Sequence, residues 1–302
     1  MDDMNLVSLV ARFADDKKCR AYLEALRWPD GPTCPRCKAT KIYRILEREQ
    51  FVCDSCDYQF SVTVNTIFHD SHLPLWKWFL AVYLMMESKK AMSANQLKRT
   101  LDVSYKTAWY LCHRIRKAIE EVNPRKLRGT VEVDETFIGG VKRGYGAGYR
   151  GNKVVVLGAI ERGGPLRMTA EKQEKRPTKR ILHGFIAKEV APDAQRIITD
   201  SWRGYRGIAD HDTKHETVNH LAKEWVRGDI HTNSIESAWS LFKRGLIGSY
   251  HKISVKHFDA YLDEFEWRFN NRANPFLFRD TLLKLIASPN LEYKKLTKEP
   301  AA

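Results

Sequence analysis

The chain has 302 residues, which is long enough for two or three compact units. Hydrophobic residues make up 43% of the chain, a larger fraction than is typical of a disordered protein. Lys and Arg number 51 against 37 Asp and Glu, and the formal net charge of +14 favours a polyanionic partner, most commonly nucleic acid. No apolar run approaches the roughly 18 residues of a membrane span, and the acidic N-terminus lacks a secretion signal. We therefore expect a cytoplasmic protein without a membrane partner; on charge alone, an ordinary basic enzyme is the alternative.

Two cysteine pairs follow a predicted helical segment over residues 1–30. Cys34 and Cys37 enclose two residues, as do Cys53 and Cys56. Two such turns bring four thiolates to one Zn²⁺ in tetrahedral geometry, and residues 31–70 are therefore predicted to form a zinc ribbon. All four ligands are cysteine, so the metal is expected to be structural. Whether the ribbon binds nucleic acid, binds protein or braces a neighbouring domain stays open.

Residues 71–125 predict a helical domain. An apolar helix over residues 75–86 precedes two shorter ones, with Ser93 and Ser104 as their N-caps. This order is typical of a helix-turn-helix, although an ordinary helical hairpin with a basic face has the same pattern. Residues expected at the DNA are Tyr105, Lys106 and Thr107 for base edges, and Lys98, Arg99, Arg114, Arg116 and Lys117 for phosphates.

The pattern then changes to strands, two of which carry acidic residues. Thr130 to Ile138 alternates with period two, with Val131 and Val133 on one face and Glu132 and Asp134 on the other. A carboxylate within a buried strand is costly unless it is paired or bound to metal, which makes Asp134 a candidate ligand. The strand over residues 196–200 ends at Asp200, the second candidate. Between them lies a glycine-rich, cationic loop with Lys142, Arg143 and Arg150 as expected DNA contacts.

A later helix supplies the third candidate acid. Asn233, Glu236 and Lys243 share one helical face, because three and seven residues are about one and two turns. An Asp on a first strand, an Asp after a fourth strand and a Glu on a later helix is the layout of an RNase H-like nuclease site. Such acids hold two Mg²⁺ or Mn²⁺ ions for phosphoryl transfer. Trp239 and Phe242 are expected to anchor the helix on the sheet.

Taken together, these motifs resemble a known family. CPRC, VDETFIGG, ITDSWRGY, HTNSIESAWSLFKR and YLDEFEWRFNNR resemble the bacterial insertion-sequence DDE transposases with an N-terminal zinc ribbon, a group related to the Merlin elements. The resemblance spans nearly the whole chain. It implies Asp134, Asp200 and Glu236 as catalytic acids and Lys243 as a contact to the terminal DNA phosphate. In some branches an Asn takes the third position, so Asn233 is the alternative to Glu236.

The expected fold is therefore a multidomain α+β protein. It comprises the zinc ribbon, a helix-turn-helix domain and an RNase H-like α/β catalytic domain with a mixed sheet over residues 126–290, followed by a tail at 291–302. The resemblance predicts a bacterial, nucleoid-associated transposase that binds terminal inverted repeats and target DNA as a homodimer or larger oligomer. A zinc-ribbon transcription regulator and an RNase H-like nuclease or resolvase are the alternatives.

Overall fold

A computed structural model describes residues 4–139, 153–172, 176–208 and 213–298. The chain divides into two compact units: Met1–Ser88, Met92–Glu120 and Ala273–Ala302 form the first, and Lys89–Ala91 with Glu121–Arg272 form the second. Among the residues described, no helix is long and apolar enough to cross a membrane.

The helices and strands are numbered in chain order. The helices are α1 (Leu6–Arg12), α2 (Asp16–Arg27), α3 (Leu75–Glu87), α4 (Ala94–Leu101), α5 (Tyr105–Ile119), α6 (Lys179–Glu189), α7 (Asn233–Gly245), α8 (Phe258–Asn270), α9 (Leu277–Ala287) and α10 (Tyr293–Thr297). The strands are β1 (Ile42–Ile45), β2 (Gln50–Cys53), β3 (Gln59–Phe60), β4 (Thr130–Ile138), β5 (Val154–Glu161), β6 (Leu166–Glu171), β7 (Arg196–Asp200) and β8 (Lys214–Val218).

The first unit combines a small sheet with a group of helices. Strands β1, β2 and β3 are antiparallel, and β1 and β2 form the predicted hairpin between the cysteine pairs. Helices α2, α3, α5 and α9 pack on one another, with Phe79 between Phe13 and Phe278 in edge-to-face contacts. Helix α9 thus packs with the N-terminal helices, whereas its sequence position had placed it with the strands, because its apolar face covers α3 and α5.

Helices α4 and α5 are joined by a tight turn. Ser93 accepts a hydrogen bond from the N–H of Gln96, and Ser104 accepts one from the N–H of Thr107, so both predicted caps are confirmed. Asp102 ends α4 in the left-handed region at φ 49°. Of the five residues whose spacing predicts core positions, Leu97, Ala108, Leu111 and Ile115 are buried, whereas Val103 in the turn is half-buried.

The second unit is built on a five-stranded mixed sheet in the order β6-β5-β4-β7-β8. Strand β5 is antiparallel to β4 and β6, while β7 is parallel to β4 and β8 is parallel to β7. Helix α6 covers one face of the sheet, where it packs against Val131 and Val133 of β4. Helices α7 and α8 cover the other face, where Trp239 and Phe242 are buried as predicted. The alternation of β4 therefore turns Glu132 and Asp134 toward α7.

Candidate metal and catalytic site

Four cysteine sulfurs converge in the first unit. Cys34 Sγ lies 3.7 Å from Cys56 Sγ, and Cys37 Sγ lies 3.4 Å from Cys53 Sγ. A tetrahedral Zn²⁺ with Zn–S bonds of about 2.3 Å requires sulfurs about 3.8 Å apart, so the four side chains fit the ion. Among the residues described, they form the one group of at least three His, Cys, Asp or Glu side chains whose ligand atoms all lie within 4.8 Å.

The backbone of each cysteine turn orients its sulfurs. Lys38 and Asp57, the residues after each pair, adopt positive φ values of 65° and 53°, and their N–H groups donate to the carbonyls of Cys34 and Cys53. Burial raises the pKa of Cys34, but hydrogen bonds from the N–H groups of Cys37 and Arg36 outweigh it and bring that pKa to about 6. The turn thus favours the thiolate, which is the form that binds zinc.

Asp134 and Asp200 lie on adjacent parallel strands. The β4–β7 pairing ends with Glu132 opposite Ile198, and the same register continued for two residues places Asp134 level with Asp200. Neighbouring strands are about 4.8 Å apart, and the carboxylate of Asp200 acts on the pKa of Asp134, so the two predicted acids lie near each other. Sequence spacing suggested both residues separately; the parallel pairing is what brings them together.

Asp134 is strongly influenced by its surroundings. Burial, the adjacent carboxylate of Glu135 and that of Asp200 together raise the pKa of Asp134 to about 7, although Trp239 donates its indole N–H to Oδ2 at 2.9 Å. Gly158 stands opposite Asp134 on β5, and a Cβ there would lie 2.5 Å from the Trp239 ring. Because Gly158 has no side chain, the indole ring of Trp239 can pack against β5 and donate its N–H to Asp134. Closely spaced, partly buried carboxylates favour a bound cation.

Glu236 lies in the first turn of α7. Its Oε1 accepts a hydrogen bond from the Thr232 hydroxyl at 2.8 Å and lies 3.6 Å from Nε2 of His220, which follows β8. Each of the three predicted acids thus accepts at least one hydrogen bond, since Asp200 Oδ1 also accepts the N–H of Trp202 at 3.0 Å. Their carboxylates do not form a group as tight as the cysteines. Asn233, Glu236 and Lys243 are all exposed on one face of α7, as their spacing predicts.

Glu132 is the site residue that sequence reasoning did not select. It is fully buried, and its carboxylate accepts the N–H groups of Ser234 and Ile235 at 2.8 and 3.0 Å, which caps the start of α7. It also pairs with Arg162 Nε at 2.7 Å, and Arg162 in turn donates to the carbonyl of His231. The available signal was position: Glu132 lies two residues before Asp134 on the same face of β4.

The predicted DNA-contacting residues of α4 and α5 have different surroundings. Lys98, Arg99, Tyr105 and Lys106 are exposed, and the ammonium of Lys106 lies over the ring of Tyr293. Thr107 is half-buried, with its hydroxyl 2.9 Å from that of Ser104, and Lys117 is exposed beside Glu120.

The predicted phosphate contacts of Arg114 and Arg116, two arginines of α5, are not supported by their positions. Arg114 and Arg116 are buried, with exposed fractions of 3% and 1%, and Arg114 donates to the carbonyls of Ile67 and His69 while stacking on Trp78. A buried guanidinium that satisfies carbonyls serves folding, because releasing it to a phosphate would leave those carbonyls without donors. Lys142, Arg143 and Arg150 lie outside the described residues.

Comparison with known proteins agrees with this arrangement. The family model of the ISXO2-like transposase domain matches residues 126–270, and that of the transposase zinc-ribbon domain matches residues 14–59. An uncharacterized protein in transposable element ISH50 of Halobacterium salinarum is 31% identical over 284 residues, covering 86% of this chain and 92% of its own. An uncharacterized transposase-like protein of Haemophilus influenzae is 34% identical over 87 residues, covering 29% of this chain and 68% of its own.

One solved structure, the simian T-cell lymphotropic virus intasome in complex with PP2A regulatory subunit B56 gamma, covers 70% of this chain and 74% of that chain at 14% identity. Its TM-score of 0.31 is too low to support an argument. The family is shown by the two family models and by the relative from a transposable element, which this chain matches over most of its length. The chain therefore belongs to the ISXO2-like family of insertion-sequence transposases, in which a zinc ribbon precedes the transposase domain.

Proposed function

We propose that this transposase binds the terminal inverted repeats of its element and catalyses divalent-metal-dependent DNA strand cleavage and strand transfer, with Asp134, Asp200 and Glu236 as the catalytic acids. The observation that most supports this is the pairing of β4 with β7, which brings Asp134 level with Asp200 on the face covered by α7. An RNase H-like domain is consistent with the strand order, since the acids come from the first strand, the end of the fourth strand and a later helix.

The side chains around the acids suit this chemistry. Two Mg²⁺ or Mn²⁺ ions, when bound, would activate a water or a 3′-hydroxyl and neutralise the leaving oxygen. Trp239, Trp202 and Thr232 each fix one oxygen of an acid, which limits the reorganisation needed on metal binding. Burial, and after it the carboxylates of Glu135 and Asp200, raise the pKa of Asp134, and bound cations would favour its charged form again.

We assign roles to the exposed residues of α7 from the charge of each side chain. Glu236 offers an anionic ligand and contacts His220, beyond β8, whereas Asn233 offers an amide. Hard divalent cations bind carboxylate oxygen well, and we therefore assign the third acid to Glu236 and keep Asn233 as the alternative. Lys243, two turns further along the same face, is assigned to the terminal DNA phosphate.

Sequence recognition is assigned to α4 and α5, read as a helix-turn-helix. The support is the pair of capped helices, their buried apolar contacts and the exposed Tyr105 and Lys106 at the start of α5. Thr107 completes the set for base edges, and Lys98 and Arg99 supply phosphate contacts.

The zinc ribbon is proposed to hold one structural Zn²⁺. Because two element ends must be brought together, we expect a homodimer or larger assembly on DNA.

The test uses DNA that carries the terminal repeats flanking the gene. With Mg²⁺, the wild-type protein is expected to nick the ends and join the 3′-hydroxyl to target DNA, whereas Asp134→Asn and Glu236→Gln should lose at least about 100-fold in rate. Ser240→Ala, on the same exposed face of α7, is the matched control. If Asn233→Ala loses activity and Glu236→Gln retains it, the third acid is misassigned.

Other outcomes identify the alternative functions. Specific DNA binding that persists in EDTA, without any cleavage in Mg²⁺, is the behaviour of a transcription regulator. Cleavage of hybrids or junctions without end joining is that of a nuclease or resolvase. Wild-type cleavage and joining rates in Asp134→Asn protein would overturn the proposed mechanism.

A further inference from the structure

A cavity of about 920 Å³ lies in the second unit, beyond the carboxyl end of β4. Its walls come from the end of β4, the start of β5, the end of α7 and the segment leading into α8. The apolar lining consists of Phe137, Ile138, Val154, Leu246, Ile247, Ile253, Val255 and Phe258. This volume is near the upper end of the range of about 300–1,000 Å³ that is usual for small-molecule sites.

The cavity combines apolar walls with a positive rim. Lys243, His251 and Lys252 line it, and the described lining residues include no Asp or Glu. Ile247 and Val255 are 75% and 49% exposed, so these walls are not buried by the fold itself. An apolar site edged by cations fits a ligand with flat apolar faces and an attached anion, which is the chemistry of a nucleotide.

The backbone at the rim is held in an unusual conformation. Helix α7 continues into a π-helical turn over Leu246–Tyr250, in which the N–H of His251 donates to the carbonyl of Leu246 at 2.7 Å. His251 itself has φ 57° and ψ −47°, a strained conformation for a residue other than glycine. The Ser249 hydroxyl fastens the turn to the carbonyls of Lys90 and Ala91. Such turns are frequent at functional sites.

The cavity lies close to the proposed acids. Ile138 is four residues beyond Asp134 on β4, about 13 Å at about 3.3 Å per residue. Lys243 is seven residues beyond Glu236 on α7, about 10 Å at about 1.5 Å per residue. With about 3.4 Å of axial rise per nucleotide in one strand of DNA, the cavity is within three or four nucleotides of the acids.

We propose that this cavity receives one unstacked nucleobase of the DNA strand whose phosphates contact Lys243 and Lys252. The assignment rests on the proposed function, which places DNA at the acids. Contact of the base with the apolar walls offsets the few kcal/mol that unstacking costs. A segment of a second copy of this chain is a poorer occupant, because it would have to bring an anion to Lys243 and Lys252, which a DNA strand supplies at every phosphate.

The test measures whether a base contributes to binding, without requiring catalysis. Binding of 5′-phosphorylated trithymidylate is compared, by calorimetry in buffer without Mg²⁺, with the same trinucleotide carrying an abasic central position. Stacking is worth about 1–3 kcal/mol per base, so the wild-type protein should bind the intact probe about 5- to 150-fold more tightly. Ile247→Ser and Val255→Ser should reduce that ratio toward one, and circular dichroism verifies that these exposed positions leave the fold intact.

Two controls define what overturns the proposal. Val122→Ser changes another exposed apolar residue of the second unit, 77% exposed, and should leave the ratio unchanged. Lys252→Ala should weaken both probes equally, since it acts on phosphate. If the ratio stays at its wild-type value in Ile247→Ser and Val255→Ser, the cavity is not a base site. An altered sedimentation mass in these variants, with unchanged probe binding, indicates a protein interface and overturns the proposal as well.

The cleavage assay separates this inference from the proposed function. Cleavage by the wild-type protein, together with a ratio that neither cavity variant changes, overturns the base site and leaves the function standing. No cleavage by the wild-type protein, together with a ratio that collapses in both variants, supports the base site and overturns the function.

Discussion

Glu132→Ala is expected to destabilise the second unit strongly, because it removes a buried carboxylate that joins β4 to the start of α7. The substitution leaves Arg162 unpaired and removes the acceptor of the Ser234 and Ile235 N–H groups. Each hydrogen bond to a charged group contributes about 1.5–3 kcal/mol. Adding the four bonds to Glu132 overestimates the loss, since water enters and Arg162 is 22% exposed. Breaking one buried pair costs about 3–5 kcal/mol, which we take as the expected loss.

Two further variants separate charge from shape. Glu132→Gln keeps the side-chain length and one acceptor oxygen, so we expect roughly half the loss, about 2 kcal/mol. Combining Glu132→Leu with Arg162→Met removes both charges and should be less damaging than Glu132→Ala alone. The missing cap of α7 would remain and costs about 0.5–2 kcal/mol. The matched control is Asp259→Ala, because Asp259 pairs with Lys172 at the surface, where such pairs contribute about 0–1 kcal/mol.

The assay is urea denaturation at pH 7 in buffer without Mg²⁺ or chelator, followed by tryptophan fluorescence, with amide hydrogen exchange at Ser234 and Ile235 as a local measurement. Exchange at both amides should be faster in Glu132→Ala than in the wild-type protein, because their acceptor is gone. A loss below about 1 kcal/mol, with exchange at both amides unchanged, would refute the view that Glu132 holds the start of α7.

The remaining predictions concern the zinc ribbon, the close approach at the sheet and the titration of Asp134. Wild-type protein should contain one zinc per chain by elemental analysis, Cys53→Ser should lose it, and Cys19→Ser, which changes a buried cysteine outside the four-cysteine group, should keep it. Gly158→Ala places a methyl group 2.5 Å from the indole ring of α7 and should cost about 1–3 kcal/mol by denaturation. Gly184→Ala, with nothing within 4 Å, should cost nothing and is the control. The pKa of Asp134, raised to about 7, exceeds the unfolded value of about 3.9, so its stabilising contribution is complete below about pH 4 and is lost as the pH rises through 7. The free energy of unfolding of metal-free protein should therefore fall between pH 5 and 8 less steeply in Asp134→Asn, and equal slopes would contradict this.

Features set by neighbouring residues were predictable from the sequence. The spacing within the two cysteine pairs predicts the ligand group, because a turn of this length fixes where two thiolates point. The caps at Ser93 and Ser104 follow from side chains that bond to backbone three residues away. The alternation of β4 separates Val133 from Asp134, and this period-two pattern needs no knowledge of the partner strands.

Features that depend on distant residues were not predictable in this way. Strand β8, Lys214–Val218, is half-exposed at the edge of the sheet and lacks an apolar run, so only its pairing with β7 identifies it. Arg114 had the spacing of a solvent-facing cation, yet its guanidinium is buried on carbonyls that lie more than forty residues earlier in the chain.

The zinc-ligand group, the capped helices and the candidate acids could be identified from the sequence, because each of them depends on local spacing and periodicity. The level position of Asp134 and Asp200 follows only from the register of β4 and β7, whose paired residues are 66 positions apart in the chain. The role of Glu132 as a buried cap for α7 also depends on the packing of the chain, because Glu132 is an acidic residue on the same face of β4 as Asp134. The reason is physical: the burial of a charge and the identity of its partners depend on which elements pack together, and that packing is set by the whole chain.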